Sequence, residues 1–514
     1  MATVKISELT GLASGSASNG DALPIVNGGT TKKVTVENLK GTLRGASNTA
    51  PGECATVSGG CNNTASGAYS TIGGGCTNTA SDDSSTVGGG CENTASGEYS
   101  TVSGGRRNTA SSFYNTVSGG YCNTASGGYA TVSGGYCHTA SGNYSTIGGG
   151  YENTASGDYS ATVGGGVSNT ASGYYGATVG GGVNNTASGY YEATVSGGRN
   201  NIASACYSTV GGGCTNTASD DYATVGGGRS NTASGGCSIV GGGSSNTASG
   251  GCSTVSGGLG NDASSILSTV GGGRDNTALS VYSTVSGGLS NTASGNSSTI
   301  GGGSNNTASG GCSTVGGGRD NTASSIHSTI GGGYNNTASG TCSTVSGGIT
   351  NTASGNCSTI GGGNNNTASG DKSTIGGGRS NTASVYSTVG GGSTNTATGT
   401  YSTISGGIVN NAPGGYSTVG GGGSNTASGT RSTISGGCDN IASGSYSAIL
   451  GGLNNVAECA CSFIVGHDIT ARTTSSLHVN NLLLETGSIP TSDPGIPGML
   501  FIAGGALKVS GCIA

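Results

Sequence analysis

NTASGEYSTVSGG, residues 93–105, is a phrase that recurs with small changes between residues 48 and 467. If its Asn is position 1, the phrase starts 28 times, from Asn48 to Asn455, with His138 in place of the Asn once. Of the 27 spacings between starts, 23 are 15 residues long, three are 16 and one is 14. A short fixed period is typical of a solenoid, in which each repeat forms one coil.

The columns of the repeat predict the shape of each coil. Position 3 is Ala in all 28 repeats. Position 10 is Val or Ile throughout, when the residue added in each 16-residue repeat, or missing from the 14-residue one, is allowed for in the count. Alternation predicts one short strand with position 10 inward and Thr outward, and a second with Ala inward. Gly-Gly after position 10 predicts one corner, because glycine tolerates positive φ, and Ser-Gly before position 7 predicts the other. We therefore expect an all-β parallel solenoid of about 28 coils.

Composition excludes several classes of protein. The chain has 111 Gly but only 6 Pro and 7% charged residues, whereas disordered chains are usually rich in charge and proline. A net charge of −6 without a basic patch argues against nucleic-acid binding. No apolar run reaches the ~18 residues of a membrane helix, and the start lacks an apolar run of signal-peptide length. We expect assembly in a cytosol and no membrane insertion.

The predicted core is thin, with one Val or Ile and one Ala in each coil. Ordering fifteen residues costs far more than burying two small apolar side chains returns. Wrapping several copies around one axis would bury a second face of each coil. The sequence therefore predicts a homo-oligomer, with a symmetric homotrimer as the preferred state.

The repeat NTASGEYSTVSGG resembles the head repeats of trimeric autotransporter adhesins, over residues 48–467. This resemblance implies a left-handed parallel β-roll, built as a trimer, and an adhesive role. The chain departs from those bacterial proteins because it shows neither a secretion signal nor a C-terminal stretch suited to a membrane barrel.

Both ends resemble parts of phage and viral fibre proteins. Residues 5–41 are similar to N-terminal attachment segments, with strands expected at 22–27 and 30–36. Residues 493–511 are similar to the small hairpin that closes many fibres, with strands expected at 499–502 and 507–509. The resulting domain prediction is an attachment segment at 1–47, a shaft at 48–467 and a tip at 468–514.

These resemblances predict a structural virion fibre that is assembled in the host cytoplasm and used for host attachment. The expected partners are other copies of the chain, a baseplate or capsid protein at the N-terminus, and a host glycan or protein on the shaft or tip. Two alternatives stay open: a trimeric adhesin passenger on a cell surface, and an ice-binding or purely structural solenoid. The Thr-x-Thr pattern expected of a flat ice-binding face is absent.

The chain has 17 cysteines, and several occupy equivalent positions in adjacent coils. A coil spacing of about 4.8 Å lies within the Cα separations that disulfides span, so a disulfide ladder is possible. The alternative is that the cysteines are free, small apolar fillers. The candidate ladder comprises Cys61, Cys76, Cys91, Cys122, Cys137, Cys237, Cys252, Cys342 and Cys357.

Tyrosine at position 7 is the candidate binding surface. Stacked aromatic side chains on a polar surface suit sugars, since tyrosine combines an apolar face with a hydroxyl group. The alternative is that each ring caps the edge of its coil and packs on the next ring. The candidate residues are Tyr69, Tyr99, Tyr114, Tyr129, Tyr144 and Tyr159.

No pattern in the sequence indicates catalysis. The four histidines are scattered, no Cys-x-x-Cys pair suggests zinc, and acidic pairs such as Asp82-Asp83 and Asp220-Asp221 fall at expected corners. We expect no enzymatic activity, cofactor or metal. Each 16-residue repeat, between Asn153 and Asn201, has its extra residue near the tyrosine position, where we expect a local bulge.

Overall fold

The structure, a computed structural model, describes residues 22–27, 30–35, 47–481, 489–492, 494–496, 499–503 and 506–510. It has two units, Met1–Ser297 and Ser298–Ala514. Each unit contains a parallel β-solenoid, and the chain has about 28 coils in all. The described residues contain no helix. The predicted fold class is confirmed.

Two parallel sheets run along each solenoid, and we name them by their usual residues. The TV sheet uses positions 9 and 10, from Thr56–Val57 to Thr284–Val285 in the first unit and from Thr299–Ile300 to Leu477–Val479 in the second. The TA sheet uses positions 2 and 3, from Thr64–Ala65 to Thr292–Ala293 and from Thr307–Ala308 to Thr470–Ala471. Nearly all these strands have two residues; Phe463–Val465 and Leu477–Val479 have three.

Pairing between coils keeps the register of the repeat. Thr64 pairs with Thr79, and Val57 pairs with Ile72, so like residues stack on like residues. A further ladder of single bridges joins position 14 of successive coils, as in Cys61 to Cys76. The sequence did not reveal this ladder, because position 14 varies among polar, charged, aromatic and aliphatic residues while the backbone pairing is constant. Side chains pair there only in places, as where Tyr136 stacks between Tyr121 and Tyr151.

The core contains two polar columns in addition to the predicted apolar ones. From the second coil on, Ala at position 3 is buried, and Val or Ile at position 10 is buried throughout, as predicted. Asn at position 1, again from the second coil on, and Ser at position 8 in most coils are also buried. Each coil therefore buries about four side chains, half of them polar, and a buried polar group is costly unless it is hydrogen-bonded.

The buried asparagines avoid this cost because their side-chain amides form hydrogen bonds from coil to coil. The Asn231 Oδ1 atom accepts the backbone N–H of Asn246 at 3.0 Å. Its Nδ2 donates to the carbonyl oxygens of Gly227 at 2.8 Å and Gly243 at 3.0 Å. The same bonds recur along the column, forming what we call the asparagine ladder.

Glycine at position 13 lets the corner close beneath this ladder. Gly75 has φ of 92°, and a Cβ placed on it would lie 2.0 Å from the carbonyl oxygen of Gly90 in the next coil. Both the left-handed conformation and the close approach exclude a side chain there. The positive φ at this corner is what the sequence predicted from Gly-Gly. The close approach of the next coil is a second reason why the position must be glycine.

Two further positions in most coils are left-handed without being glycine. Position 7 and position 15 have φ near 55°, for example Tyr69 at 59° and Thr77 at 58°. Val409, at position 15, has φ of 60° although a β-branched residue rarely adopts it. Gly260 occupies the same position in another coil with φ of 66°.

The 16-residue coils place their extra residue in the corner after the tyrosine position. Ser160, Gly176 and Glu192 take positive φ there, at 79°, 63° and 42°. The strands on either side stay two residues long and in register, as in Thr162 with Thr178. The insertion therefore lies in a turn, and not in a strand as the sequence suggested, because the turn faces solvent and has room for another residue.

Antiparallel hairpins lie in both terminal segments. Ala22–Asn27 pairs with Thr30–Thr35, and Leu500–Ala503 pairs with Ala506–Val509. These strands agree with the hairpins expected from the sequence to within one residue at most bounds. Stacking in the second unit continues to Leu477–Val479, inside the segment that the sequence assigns to the tip. The remaining residues of both predicted end segments lie outside the described ranges.

Replacing one rung of the asparagine ladder should be far more harmful than removing a buried hydroxyl. Asn231→Ala leaves the Asn246 N–H and the Gly227 carbonyl oxygen without this partner and removes one of two bonds to the Gly243 carbonyl oxygen, so we expect a loss of about 2–4 kcal/mol in the free energy of unfolding. Urea denaturation followed by circular dichroism measures it.

Ser145→Ala is the matched control. The Ser145 hydroxyl has no hydrogen-bond partner among the described residues, and its column neighbours are the buried Ala130 and Ala161. We expect a change of less than about 0.5 kcal/mol. Equal losses in the two variants would contradict the role given to the asparagine ladder.

Val409→Gly should stabilise the chain. The left-handed conformation costs a side-chain-bearing residue about 1–2 kcal/mol, and the added freedom of glycine in the unfolded chain returns part of it. We expect a gain of about 0.5–1 kcal/mol by the same denaturation measurement. Val409→Ala keeps a Cβ, so it should gain less; an equal gain would show that conformation is not the cause.

Candidate functional site

The tyrosines at position 7 form stacked ladders on one corner of the first unit. Tyr99 and Tyr114 stack with ring centroids 4.9 Å apart, and Tyr114 and Tyr129 stack at 5.0 Å. Tyr129 and Tyr144 continue the stack at 5.0 Å. Interplanar angles of 12°, 0° and 2° show that the rings face one another. The parallel register sets this spacing, because equivalent residues of adjacent coils lie one strand apart.

The remaining two candidate tyrosines are placed differently. Tyr159 begins a second stack, with Tyr175 at 5.1 Å. Tyr69 lies between Cys54 and Ser84 in its column, and it has no aromatic partner among the described residues. Its side chain is 62% exposed. The structure thus brings four of the six candidates together and separates the other two.

The 16-residue coils widen the second stack into a double ladder. Each of two such coils carries a Tyr-Tyr pair. Tyr174 stacks on Tyr190 with ring centroids 5.1 Å apart, and beside them Tyr175 stacks on Tyr191 with centroids 5.3 Å apart. Rings within a pair meet edge to face, at 84° and 79°. These residues are not among the tyrosine candidates predicted from the sequence, although the doubled tyrosines in GYYG and GYYE are a visible signal.

Stacking limits what the ladders can bind. A ring held between two parallel rings about 5 Å away has both faces covered, so only its edge and hydroxyl meet solvent. Sugar rings pack against aromatic faces, which remain open at the ends of a stack and on isolated rings. Tyr69 and Tyr222, the last ring of the second stack, are therefore better platforms than Tyr114.

The candidate cysteines lie where the sequence placed them, in adjacent coils. Cys61, Cys76 and Cys91 share the position 14 ladder, and the sulfurs of Cys61 and Cys76 are 3.1 Å apart. Burial, followed by a hydrogen bond with Cys122, raises the pKa of the Cys137 thiol to about 11. All cysteines in the described ranges are free thiols. The disulfide ladder, which also includes Cys237, Cys252, Cys342 and Cys357, stays a prediction.

His138 takes over the acceptor role of the asparagine that it replaces, whereas its buried Nε2 does not repeat the two donor bonds of the amide. It is fully buried, and its Nδ1 accepts the backbone N–H of Asn153 at 3.0 Å. Burial lowers its pKa, and this effect exceeds the opposing hydrogen bonds with the Gly150 and Asn153 backbone. The neutral ring fits an interior position in the ladder.

The acidic pairs are solvent-exposed and have structural bonds. Asp83 Oδ1 accepts the backbone N–H of Ala68 at 3.1 Å, and Asp221 Oδ1 accepts that of Cys206 at 3.0 Å. Each carboxylate thus caps the corner of the preceding coil. Within the described ranges, no group of three or more His, Cys, Asp or Glu side chains is arranged to hold a metal ion.

Comparison with known proteins adds no family to these observations. No protein-family model matches the chain, and no curated protein matches it. None of the described residues forms a helix long and apolar enough to cross a membrane.

Tyrosine stacking should make a measurable contribution to stability. Tyr114→Ala removes two stacked pairs, each worth about 0.5–1.5 kcal/mol, so we expect a loss of about 1–3 kcal/mol in the free energy of unfolding. Tyr69→Ala removes no stacked pair and should cost less than about 0.5 kcal/mol. Tyr114→Phe keeps the ring and should behave as wild type. If the isolated Tyr69 proved as costly as Tyr114, stacking would not be the cause.

Proposed function

We propose that this chain is the structural part of a trimeric virion fibre that attaches a virus particle to its host. The observation that carries the proposal is the uniform register of the coils, in which Thr stacks on Thr and Val on Val through each solenoid. Such a chain presents the same outward face coil after coil and suits a spacer more than an active site. The proposal that the fibre is viral rests on the resemblance of residues 5–41 and 493–511 to the end segments of phage and viral fibre proteins.

The support for a trimer comes from the apolar surface of the chain and not from its core. The asparagine ladder strengthens each coil internally, so a thin core is no longer the main reason to expect further chains. The support lies instead on position 14, where large apolar side chains face solvent beside the flat Gly-Gly corner. In the first unit these include Val167, Val183 and Leu259. Packing against further copies would remove this apolar surface from water.

Host contact is assigned to the aromatic rings with an open face and to the tip. Tyr69 and Tyr222 offer apolar ring faces with a hydroxyl, which suits a glycan. The N-terminal segment would contact a baseplate or capsid protein. A cell-surface adhesin would use the same solenoid, so the two proposals differ in where the protein is found.

A second candidate function, ice binding, is favoured by one observation. The TA sheet presents Thr at position 2 and Ser at position 4 outward in register over most coils. This is a regular array of hydroxyl groups, although it is Thr-x-Ser and not Thr-x-Thr. A thermal-hysteresis assay on the purified chain tests it, and no hysteresis at high protein concentration would remove this candidate.

The fibre proposal predicts three chains per particle in solution. Light scattering on the recombinant chain should give three times the chain mass of 48.4 kDa, and electron micrographs of the same fraction should show thin fibres. A monomer would contradict the trimer. Antibodies against the protein should label virus particles, and labelling of virus-free cell surfaces instead would favour the adhesin.

A further inference from the structure

The position 14 ladder places a thiol between two guanidinium groups. Arg199, Cys214 and Arg229 occupy this position in three successive coils, and bridges pair Arg199 with Cys214 and Cys214 with Arg229. The sulfur is partly exposed on the corner of the first unit. Neighbouring coils are about 4.8 Å apart, so each arginine is within reach of whatever approaches the sulfur.

Two side chains contact the sulfur directly. The Arg199 Nη2 atom lies 3.7 Å from Cys214 Sγ, and Thr215 Oγ1 lies 3.4 Å from it. The charged groups that act on the thiol are Arg199 and Arg229. The hydrogen bond with Thr215 and then that with Arg199 lower the pKa of this thiol, burial opposes them, and the charges of Arg199 and Arg229 add smaller lowering effects.

Another cysteine of the same unit has the opposite surroundings. Cys237 is exposed on the other corner, where burial, the neighbouring Cys252 and the charges of Asp220 and Asp221 raise its pKa. Cys214 therefore has cations beside it and Cys237 has anions. The two thiols also differ in backbone setting, since Cys214 belongs to the position 14 ladder and Cys237 has a left-handed φ of 57° at position 7. Substitution of the arginines, and not this comparison alone, therefore isolates the effect of the flanking charges.

We propose that Cys214 is a modification site that forms a mixed disulfide with small disulfides bearing carboxylates, the class to which glutathione disulfide belongs. The Cys214 thiolate attacks one sulfur of the disulfide; a new S–S bond forms, the original S–S bond breaks, and the other half leaves as a thiolate with the electron pair of the broken bond. The incoming disulfide is thus the oxidant. Arg199 and Arg229 bind the carboxylates of the incoming molecule.

The chemistry of this site does not use the fibre, although Cys214 shares position 14 with the apolar residues that the fibre proposal packs against further copies. Its own stretch of that ladder, from Arg199 to Ser244, is polar, so the proposal concerns the sulfur as it stands in the single chain. The site lies on the corner opposite the position 7 tyrosine ladders, and the modification places a negatively charged group between two cations. The chemistry requires only the exposed sulfur and the two guanidinium groups.

The test compares two disulfides of opposite charge on the full-length chain. Glutathione disulfide carries carboxylates, and cystamine carries ammonium groups. The reaction is quenched with acid at several times near neutral pH, and peptide mass spectrometry gives the rate at each cysteine. We expect the glutathione-to-cystamine rate ratio to be about tenfold higher at Cys214 than at Cys237, and to fall with added salt.

Substitution of the arginines separates recognition from general reactivity. Arg199→Gln with Arg229→Gln should reduce the ratio at Cys214 to that of a thiol without flanking charges, while circular dichroism confirms folding. Arg274→Gln is the matched control, because Arg274 occupies the same ladder between Leu259 and Leu289 and should leave Cys214 unchanged. Equal ratios at Cys214 and Cys237 in the wild type, or an unchanged ratio in the double variant, would overturn the proposal.

Discussion

Each buried asparagine bonds to the coils on both sides of it, and the rest of the structure depends on this contact. Its side-chain oxygen accepts a backbone N–H of the next asparagine, and its side-chain nitrogen donates to two glycine carbonyls at the corner. A chain with so few large apolar residues can form an ordered interior because this amide uses its donors and acceptor within the protein. The glycine corners follow from it, since a side chain there would collide with the next coil.

The periodic apolar columns were predictable from the sequence, and the buried polar ones were not. Ala at position 3 and Val at position 10 alternate with Thr, so a strand with an inward face follows from the pattern alone. Asn and Ser are usually exposed, and nothing local indicates that Asn231 is buried. Its partners lie four residues away and in the adjacent coils, so only stacking reveals them. The position 14 ladder was missed because it is formed by the backbone of a variable position.

The candidate site was likewise predictable from the sequence only in part. The column of tyrosines was predictable from their spacing, and so was their packing on one another as an alternative to sugar binding. The orientation of the rings was not, and it decides which faces are open. Face-to-face stacking covers Tyr114 and leaves Tyr69 free, because the neighbours of Tyr69 in its column, Cys54 and Ser84, are small. The flat faces of the solenoid are thus nearly constant, whereas its corners vary from coil to coil and carry the groups capable of recognition.

Hydrogen exchange followed by mass spectrometry tests most directly that coil stacking orders this glycine-rich chain. The ladders bond the backbone amides of Thr64 and Thr71 and, at the corner, that of Cys76, and the same positions recur in every coil. Exchange should therefore be slow at these bonded amides throughout residues 63–465 and fastest in the outermost coils. Exchange of the strand amides and of the position 14 amides at the rate of an unstructured chain would contradict the account, because only stacking on the next coil gives those amides a partner.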